Sequence, residues 1–170
     1  TASDFTGAIF SSSTQNSQLS TLTVSGLDTN TTYYFRVGSL NWNGNPNFVS
    51  AGSTATLANA PQALAPVYLN VYASSVTANW AALPAAPSSS TSEGYILEAS
   101  TRADFTGAVL SSATTSVARS TLTVSGLSAD TTYYFRAGAL NWNSTPNYLA
   151  LGSTSTLANP KVRVWFAPFS

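Results

Sequence analysis

The chain has 170 residues, a formal net charge of +0 and only 7% charged residues, whereas soluble domains average about 25%. It contains no histidine and no cysteine, and its six carboxylates are widely scattered, so we expect no enzyme, no cofactor and no metal site. The six basic residues form no patch and no apolar run is long enough to cross a bilayer, so we expect neither a nucleic-acid partner nor a membrane span.

An internal repeat organises the chain. Residues 1–59 match residues 101–159 at an offset of one hundred residues, with no insertion or deletion between the copies. The best-matched stretch, residues 20–43, contains Thr-Tyr-Tyr-Phe-Arg and Leu-Asn-Trp-Asn in both copies. A period of this size corresponds to one small domain, so the sequence predicts an array of similar units.

Alternating apolar and polar residues predict the strands of the first copy. Residues 20–27 and residues 31–38 both show the period of a half-buried strand. The Asn-Gly-Asn-Pro stretch at 43–46 predicts a turn, and residues 53–57 predict a final strand. Residues 9–19, rich in serine, asparagine and glutamine, are expected to form a surface connection.

The second copy is preceded by residues that have no counterpart in the first. Residues 58–61 end in proline and predict a junction between domains. Val76, Ala78 and Trp80 fall on one face of a predicted strand and are expected to lie in the core. The three additional strands predicted here cover residues 66–72, 75–80 and 94–100.

One spacing resembles a known family. Leu27, Thr31, Tyr33 and Val37, with their equivalents Leu127, Thr131, Tyr133 and Ala137, are similar to the E–F corner and strand F of a fibronectin type III domain. The resemblance implies that Tyr33 and Tyr133 are corner tyrosines, which hydrogen-bond to upstream backbone. The alternative is that they are ordinary strand aromatics. The proline usual in this corner is replaced by Thr29 and Ala129.

The resemblance implies an all-β fold of tandem immunoglobulin-like β-sandwiches. We expect a partial domain with only the C-terminal strands at residues 1–59 and a complete domain at residues 60–160. Residues 161–170 read as a strand-like tail or the start of a further repeat. The strands absent from the first domain would come from upstream sequence or from a neighbouring copy.

Three sets of residues are candidates for contact or modification. Trp42 and Trp142, each between two asparagines, suit a sugar platform, packing between subunits, or packing over their own sheet edge or a neighbouring domain. The tail carries an apolar face that should pack on a partner; the candidate residues are Val162, Val164, Trp165 and Phe166. Asn30 and Asn143 fit the N-glycosylation pattern, which also arises by chance in Ser/Thr-rich chains.

These features favour a non-catalytic structural or adhesive module of an extracellular or cell-surface repeat protein. Its partners would be other copies of itself or adjacent repeats, and donation of a strand from copy to copy would build a head-to-tail filament. The alternative is a spacer or glycan-binding accessory module of a secreted polysaccharide-degrading enzyme, with Trp42 and Trp142 meeting the glycan.

Overall fold

The computed structural model describes residues 2–161, so the predicted contacts of Val162, Val164, Trp165 and Phe166 lie outside the described residues. Within this range the chain forms nine strands and one short 3-10 turn (Ser88–Ser90). The strands are β1 (Thr32–Leu40), β2 (Pro46–Ala55), β3 (Gln62–Val71), β4 (Ser75–Ala81), β5 (Tyr95–Ser100), β6 (Val109–Thr114), β7 (Thr121–Ser125), β8 (Thr132–Leu140) and β9 (Pro146–Ser155).

Seven of these strands form a β-sandwich. One sheet has the order β3-β4-β7 and the other β6-β5-β8-β9, with antiparallel neighbours throughout. Side chains from both sheets meet in one buried cluster, which includes Trp80, Leu97, Val124 and Phe135. The predicted all-β sandwich fold is therefore confirmed.

Alternation along β4 places one face of the strand in this core. Val76, Ala78 and Trp80 are all fully buried, as the sequence predicts. The indole ring of Trp80 lies 5.5 Å from the ring of Tyr95 on the facing sheet. Burial of each large apolar side chain of this kind stabilises a fold by about 1.5–3 kcal/mol, so this cluster holds the two sheets together.

Strands β1 and β2 form a separate two-stranded hairpin. Its register repeats that of β8 and β9, and both pairs have a bulge after the equivalent phenylalanine, Phe35 or Phe135. The last strand of the first copy, predicted at residues 53–57, instead covers Pro46–Ala55. That prediction is wrong in its bounds because the ladder with β1 extends to the tight turn that begins at Asn41.

The strand predicted at residues 20–27 is also wrong for the first copy, where these residues form no strand. Their equivalents form β7, which pairs with β4. Residues 9–14 likewise form no strand, while Val109–Thr114 forms β6 on the edge of β5. Each segment is a strand only in the copy that has a neighbouring strand to pair with.

Candidate functional site

The two Asn-Trp-Asn loops have the same internal hydrogen bonds. The Asn141 side-chain oxygen Oδ1 accepts the backbone N–H groups of Asn143 (3.0 Å) and Thr145 (2.8 Å). Asn41 Oδ1 accepts the N–H groups of Asn43 and Asn45 at 3.0 and 2.9 Å. The amide oxygen closes the turn in both copies, which leaves the amide nitrogen Nδ2 to donate elsewhere.

In the second copy these amide nitrogens bind the end of β2 and the residues that follow it. Asn141 Nδ2 donates to Ala55 O and Thr56 O, both at 3.1 Å. Asn143 Nδ2 donates to Thr54 Oγ1 (3.2 Å) and Asn147 Nδ2 to Ala58 O (2.8 Å). We call this set of contacts the amide joint. It leaves Asn141 only 2% exposed and Ala58 only 1%.

A second set of contacts links the first copy to residues 88–93, which precede the second copy. Asn30 Nδ2 donates to Glu93 Oε1 (3.0 Å) and to Ser88 O (3.3 Å), and Thr29 Oγ1 donates to Ser89 O. Asn30 is fully buried, and its Oδ1 has no hydrogen-bond partner among residues 2–161. These hydrogen bonds hold the corner of the first copy against the loop at residues 88–93.

These contacts bear on the glycosylation hypothesis. A glycan on Asn30 would attach to the same buried Nδ2 that binds Glu93, so the modification is incompatible with this packing. Asn143 is exposed, although its Nδ2 contacts Thr54, and its modification stays a prediction. Sequence reasoning missed the role of both residues between the copies. For Asn143 the available signal was the recurrence of Asn41, Asn43 and Asn47 one hundred residues later, whereas Asn30 is replaced by Asp130.

The tryptophans of the two loops differ in exposure. Trp42 is 106% exposed and Trp142 is 57% exposed. Trp42 therefore does not fold over its own sheet edge, which was one of the alternatives for this residue. The structure leaves a free aromatic ring at the tip of the first loop, and its use as a binding platform stays a prediction.

Both corner tyrosines accept a hydrogen bond from upstream backbone. The hydroxyl oxygen of Tyr33 accepts the N–H of Asp28 at 2.9 Å, and that of Tyr133 accepts the N–H of Ser128 at 3.1 Å. Both rings are buried. This bond has the geometry of a tyrosine corner, and it fixes the turn that leads into β1 and β8.

The β1–β2 pair, which we call the open hairpin, exposes the face that its equivalent buries. Val37 is 60% exposed, whereas Ala137 at the same position of β8 is fully buried. The β8 edge pairs with β5, from Ser100 opposite Tyr134 to Tyr95 opposite Ala139. Residues 34–39 of β1 have no strand partner on that edge within residues 2–161.

Arginines stack between two rings in both copies. The Arg136 guanidinium lies 4.1 Å from the centre of the Phe105 ring and 3.9 Å from that of Tyr148, and its Nε donates to Glu98 Oε2 at 2.7 Å. Burial, followed by hydrogen bonding to Glu98, raises the pKa of Tyr148. Arg36 stacks between Phe5 (4.4 Å) and Phe48 (4.0 Å).

The Arg36 stack differs from the Arg136 stack in its ion pairing. Arg36 forms no salt bridge with any residue in the described range. Glu98 lies on β5 directly opposite Arg136, and no strand among residues 2–161 pairs with β1 at the equivalent place. Both arginines stack between two rings, and such stacking stabilises by about 0.5–1 kcal/mol at exposed sites. The two sites therefore differ mainly in the carboxylate, which only Arg136 has among the described residues.

Two of the carboxylates form hydrogen bonds within local turns. No cluster of three histidine, cysteine, aspartate or glutamate side chains suited to a metal ion occurs in the part of the chain that the structure describes. Asp4 and Asp104 each accept hydrogen bonds from the hydroxyl and backbone N–H of a threonine two residues on, which lower the pKa of both carboxyls. Both carboxylates stabilise local turns.

Comparison with known proteins finds similar solved structures but no matching family. No protein-family model and no curated protein matches the sequence. Two similar solved structures are the FN5 domain of Drosophila Lar and an fn3 domain of the human collagen alpha-1(XX) chain. The first is 18% identical, covers 61% of this chain and 100% of its own, and has a TM-score of 0.45. The second is 19% identical, covers 66% of this chain and 98% of its own, and has a TM-score of 0.46.

The sheet orders β3-β4-β7 and β6-β5-β8-β9, together with the two corner-tyrosine hydrogen bonds, are those of a fibronectin type III-like β-sandwich. Among residues 2–161, no helix is long and apolar enough to span a membrane. The candidate functional features are the amide joint, the Trp42 loop and the open hairpin.

Proposed function

We propose that the chain is a non-catalytic structural or adhesive module of an extracellular repeat protein. It would consist of a partial fibronectin type III unit at residues 1–59 and a complete unit at residues 60–160. Its partners would be adjacent repeats of the same protein or other copies of the chain. The repeat at an offset of one hundred residues and the weakly charged surface support this role.

The open hairpin is the observation that carries the proposal. Exposed apolar area destabilises by about 25 cal/mol per Å² relative to burial, and an unpaired strand edge is a template for another strand. Val37 and Val49 lie opposite each other on the exposed face. We infer that a strand from an adjacent repeat or another copy adds to the β1 edge, and that repeated addition builds a filament.

The second copy indicates which strand would fit. In the completed sheet, β5 places Glu98 opposite Arg136, so a strand added to β1 should place a carboxylate opposite Arg36. Residues 161–170, the donor suggested by their alternating pattern, contain Lys161 and Arg163 but no acidic residue. A strand with the pattern of residues 94–100 therefore fits the open hairpin better than the tail does.

Peptide binding to the intact chain tests strand addition. A labelled peptide with the sequence of residues 94–100 should bind and slow amide hydrogen exchange in β1, whereas the same peptide with lysine in place of its glutamate should not. Val37→Asp in the chain should abolish binding, and Val109→Asp, at an exposed position of β6, should not. A peptide of residues 161–170 is the second arm, and binding there would make the tail the donor.

Sedimentation of the intact chain tests the filament. We expect species much heavier than the 17.7 kDa monomer as concentration rises. A monomer at every concentration, together with no binding of either peptide, would overturn strand addition and the filament.

The exposure of Trp42 favours a second candidate, a glycan-binding accessory or spacer module of a secreted polysaccharide-degrading enzyme. Its ring is free on both faces and lies between Asn41 and Asn43, which can hydrogen-bond sugar hydroxyls. Retention on insoluble polysaccharides that disappears with Trp42→Ala but persists with Trp142→Ala would favour this module. Absence of retention on every polysaccharide would leave the structural role ahead.

A further inference from the structure

Each copy carries both halves of the amide joint, although only one joint forms within residues 2–161. The donor residues Asn141, Asn143 and Asn147 recur as Asn41, Asn43 and Asn47. The acceptor residues Thr54, Ala55, Thr56 and Ala58 recur as Thr154, Ser155, Thr156 and Ala158. The alanine-to-serine difference at 55 and 155 does not affect the joint, because position 55 contributes only its backbone oxygen.

The unused donor half already has the shape of the bound one. Asn41 Oδ1 closes its turn through the same two backbone N–H groups as Asn141 Oδ1 does. Asn41 is exposed, and its Nδ2 has no acceptor among the described residues, whereas Asn141 is 2% exposed with two acceptors. The loop would therefore lose little conformational freedom when it binds.

The unused acceptor half has the same backbone course as the occupied one. Thr156 Oγ1 donates to Ser128 O at 2.6 Å, as Thr56 Oγ1 does to Asp28 O. The N–H groups of both threonines donate to the equivalent carbonyls at 3.0 Å. Ala158 is nevertheless exposed where Ala58 is almost fully buried. Thr156 itself is buried, but Ser155 and Ala158 are exposed where Ala55 and Ala58 are buried by the joint.

We propose that the Asn41 loop of one chain docks on Thr154, Ser155, Thr156 and Ala158 of a second copy. The contact would repeat the internal amide joint between molecules. Because donor and acceptor are different surfaces of one chain, the contact is heterologous and extends head to tail. It deepens the proposed repeat-protein role and rests on it, but it needs no added strand.

The corner contacts would not be reproduced between molecules. Thr29 and Asn30, which bind residues 88–93 inside the chain, are replaced by Ala129 and Asp130 in the second copy. Neither the Ala129 side chain nor an ionised Asp130 can donate these hydrogen bonds. The intermolecular joint therefore depends on the asparagine amides, which makes it sensitive to single substitutions there.

Crosslinking between two single-cysteine variants of the full chain tests the docking. The chain has no natural cysteine, so Asn43→Cys in one molecule and Thr154→Cys in another place the only thiols at the proposed contact. A short bismaleimide should join them into a heterodimer at several times the yield of either homodimer. Ser111→Cys, exposed on β6, replaces Thr154→Cys as the matched control. The double variant Thr54→Cys/Asn143→Cys should crosslink within one chain and shows that the reagent spans the joint.

A conservative substitution separates docking from random collision. Asn41→Asp keeps the oxygen that closes the turn but removes the Nδ2 donor. Added to the Asn43→Cys chain, it should lower the heterodimer yield about tenfold, since two hydrogen bonds are lost. A yield equal to that of the Ser111→Cys control, or unchanged by Asn41→Asp, would overturn the proposal. Strong crosslinking without peptide binding at β1 would refute strand addition and support docking.

Discussion

The hairpins β1–β2 and β8–β9 have nearly the same sequence and the same register, but their surroundings differ. The edge of β8 pairs with β5, and its inner face packs against the β3-β4-β7 sheet. The open hairpin has no such neighbours within residues 2–161. The strands β6 and β7 also form only in the second copy, where β5 and β4 provide ladders.

The comparison shows which interactions form without the opposite sheet. The bulge after Phe35 or Phe135, the tyrosine corner, the asparagine-closed loop and the stacked arginine are all present in both copies. Strand formation at residues 20–27 and burial of Val37 are not. Short-range hydrogen bonds thus persist without the opposite sheet, while sheet edges and core burial depend on it.

Matched substitutions at the two phenylalanines should give the largest difference. Phe135 is fully buried and its ring lies 5.4 Å from that of Tyr68, so Phe135→Ala should lower the free energy of unfolding by about 3–5 kcal/mol. Phe35 is half-buried, and Phe35→Ala should cost about 1 kcal/mol. Denaturant unfolding followed by tryptophan fluorescence measures both. Equal losses would mean that the open hairpin is buried in solution.

Most of the strands can be predicted from the sequence, because alternating apolar and polar residues indicate a strand with one buried face. The patterns of Val76, Ala78 and Trp80 and of residues 132–140 predict β4 and β8. The same pattern fails at residues 20–27, since alternation specifies which face is apolar but not whether a partner strand exists. β6 was missed because its Ser/Thr-rich segment resembles a surface connection, and pairing with β5 decides its conformation.

Substitution of the equivalent asparagines should give the next largest difference. Asn141→Ala removes the turn-closing oxygen and also the two bonds to Ala55 O and Thr56 O, whereas Asn41→Ala removes only the turn bonds. We expect Asn141→Ala to cost about 1–3 kcal/mol more, because buried carbonyls lose their donors. The same unfolding measurement applies. A difference near zero would show that the amide joint contributes nothing to stability.

The contacts of the amide joint and of Arg136 were harder to predict from the sequence than the strands. Asn141 and Asn143 are polar residues in a loop, and nothing within the loop indicates which atoms the amides reach. Their acceptors are backbone carbonyls, which no side-chain pattern marks. Stacking of Arg136 between Phe105 and Tyr148 likewise joins residues far apart in the chain. Recurrence in two copies could identify these residues but not their partners.

Replacement of the stacked arginines by lysine should give a smaller difference. Lysine lacks the planar guanidinium that stacks on two rings while Nε binds a carboxylate. Arg136→Lys should cost about 1 kcal/mol more than Arg36→Lys, because Arg136 also loses its partly buried bond to Glu98. Added salt should reduce this difference. Equal costs in the two copies would mean that the ion pair adds nothing to stacking.

The smallest expected effect is on the pH dependence of stability, and it involves the sandwich but not the open hairpin. The Tyr68 hydroxyl donates to Leu151 O at 3.2 Å, and burial raises the pKa of Tyr68 from 10.0 to about 12. Because the folded state holds this proton more tightly, its contribution to stability is complete below pH about 10 and is lost as pH rises to about 12.

Tyr68→Phe tests this contribution directly. The variant should lose about 1 kcal/mol at neutral pH, from the missing hydrogen bond, and its stability should fall less steeply than that of the natural chain at alkaline pH. Tyr148 also has a raised pKa and contributes in the same direction in both proteins, so the difference between the two curves isolates Tyr68. Parallel curves would show that Tyr68 titrates alike in the folded and unfolded chain. Amide hydrogen exchange in β1 should respond little to this substitution, because Tyr68 packs on Phe135 and the open hairpin has no equivalent contact at Phe35 among the described residues.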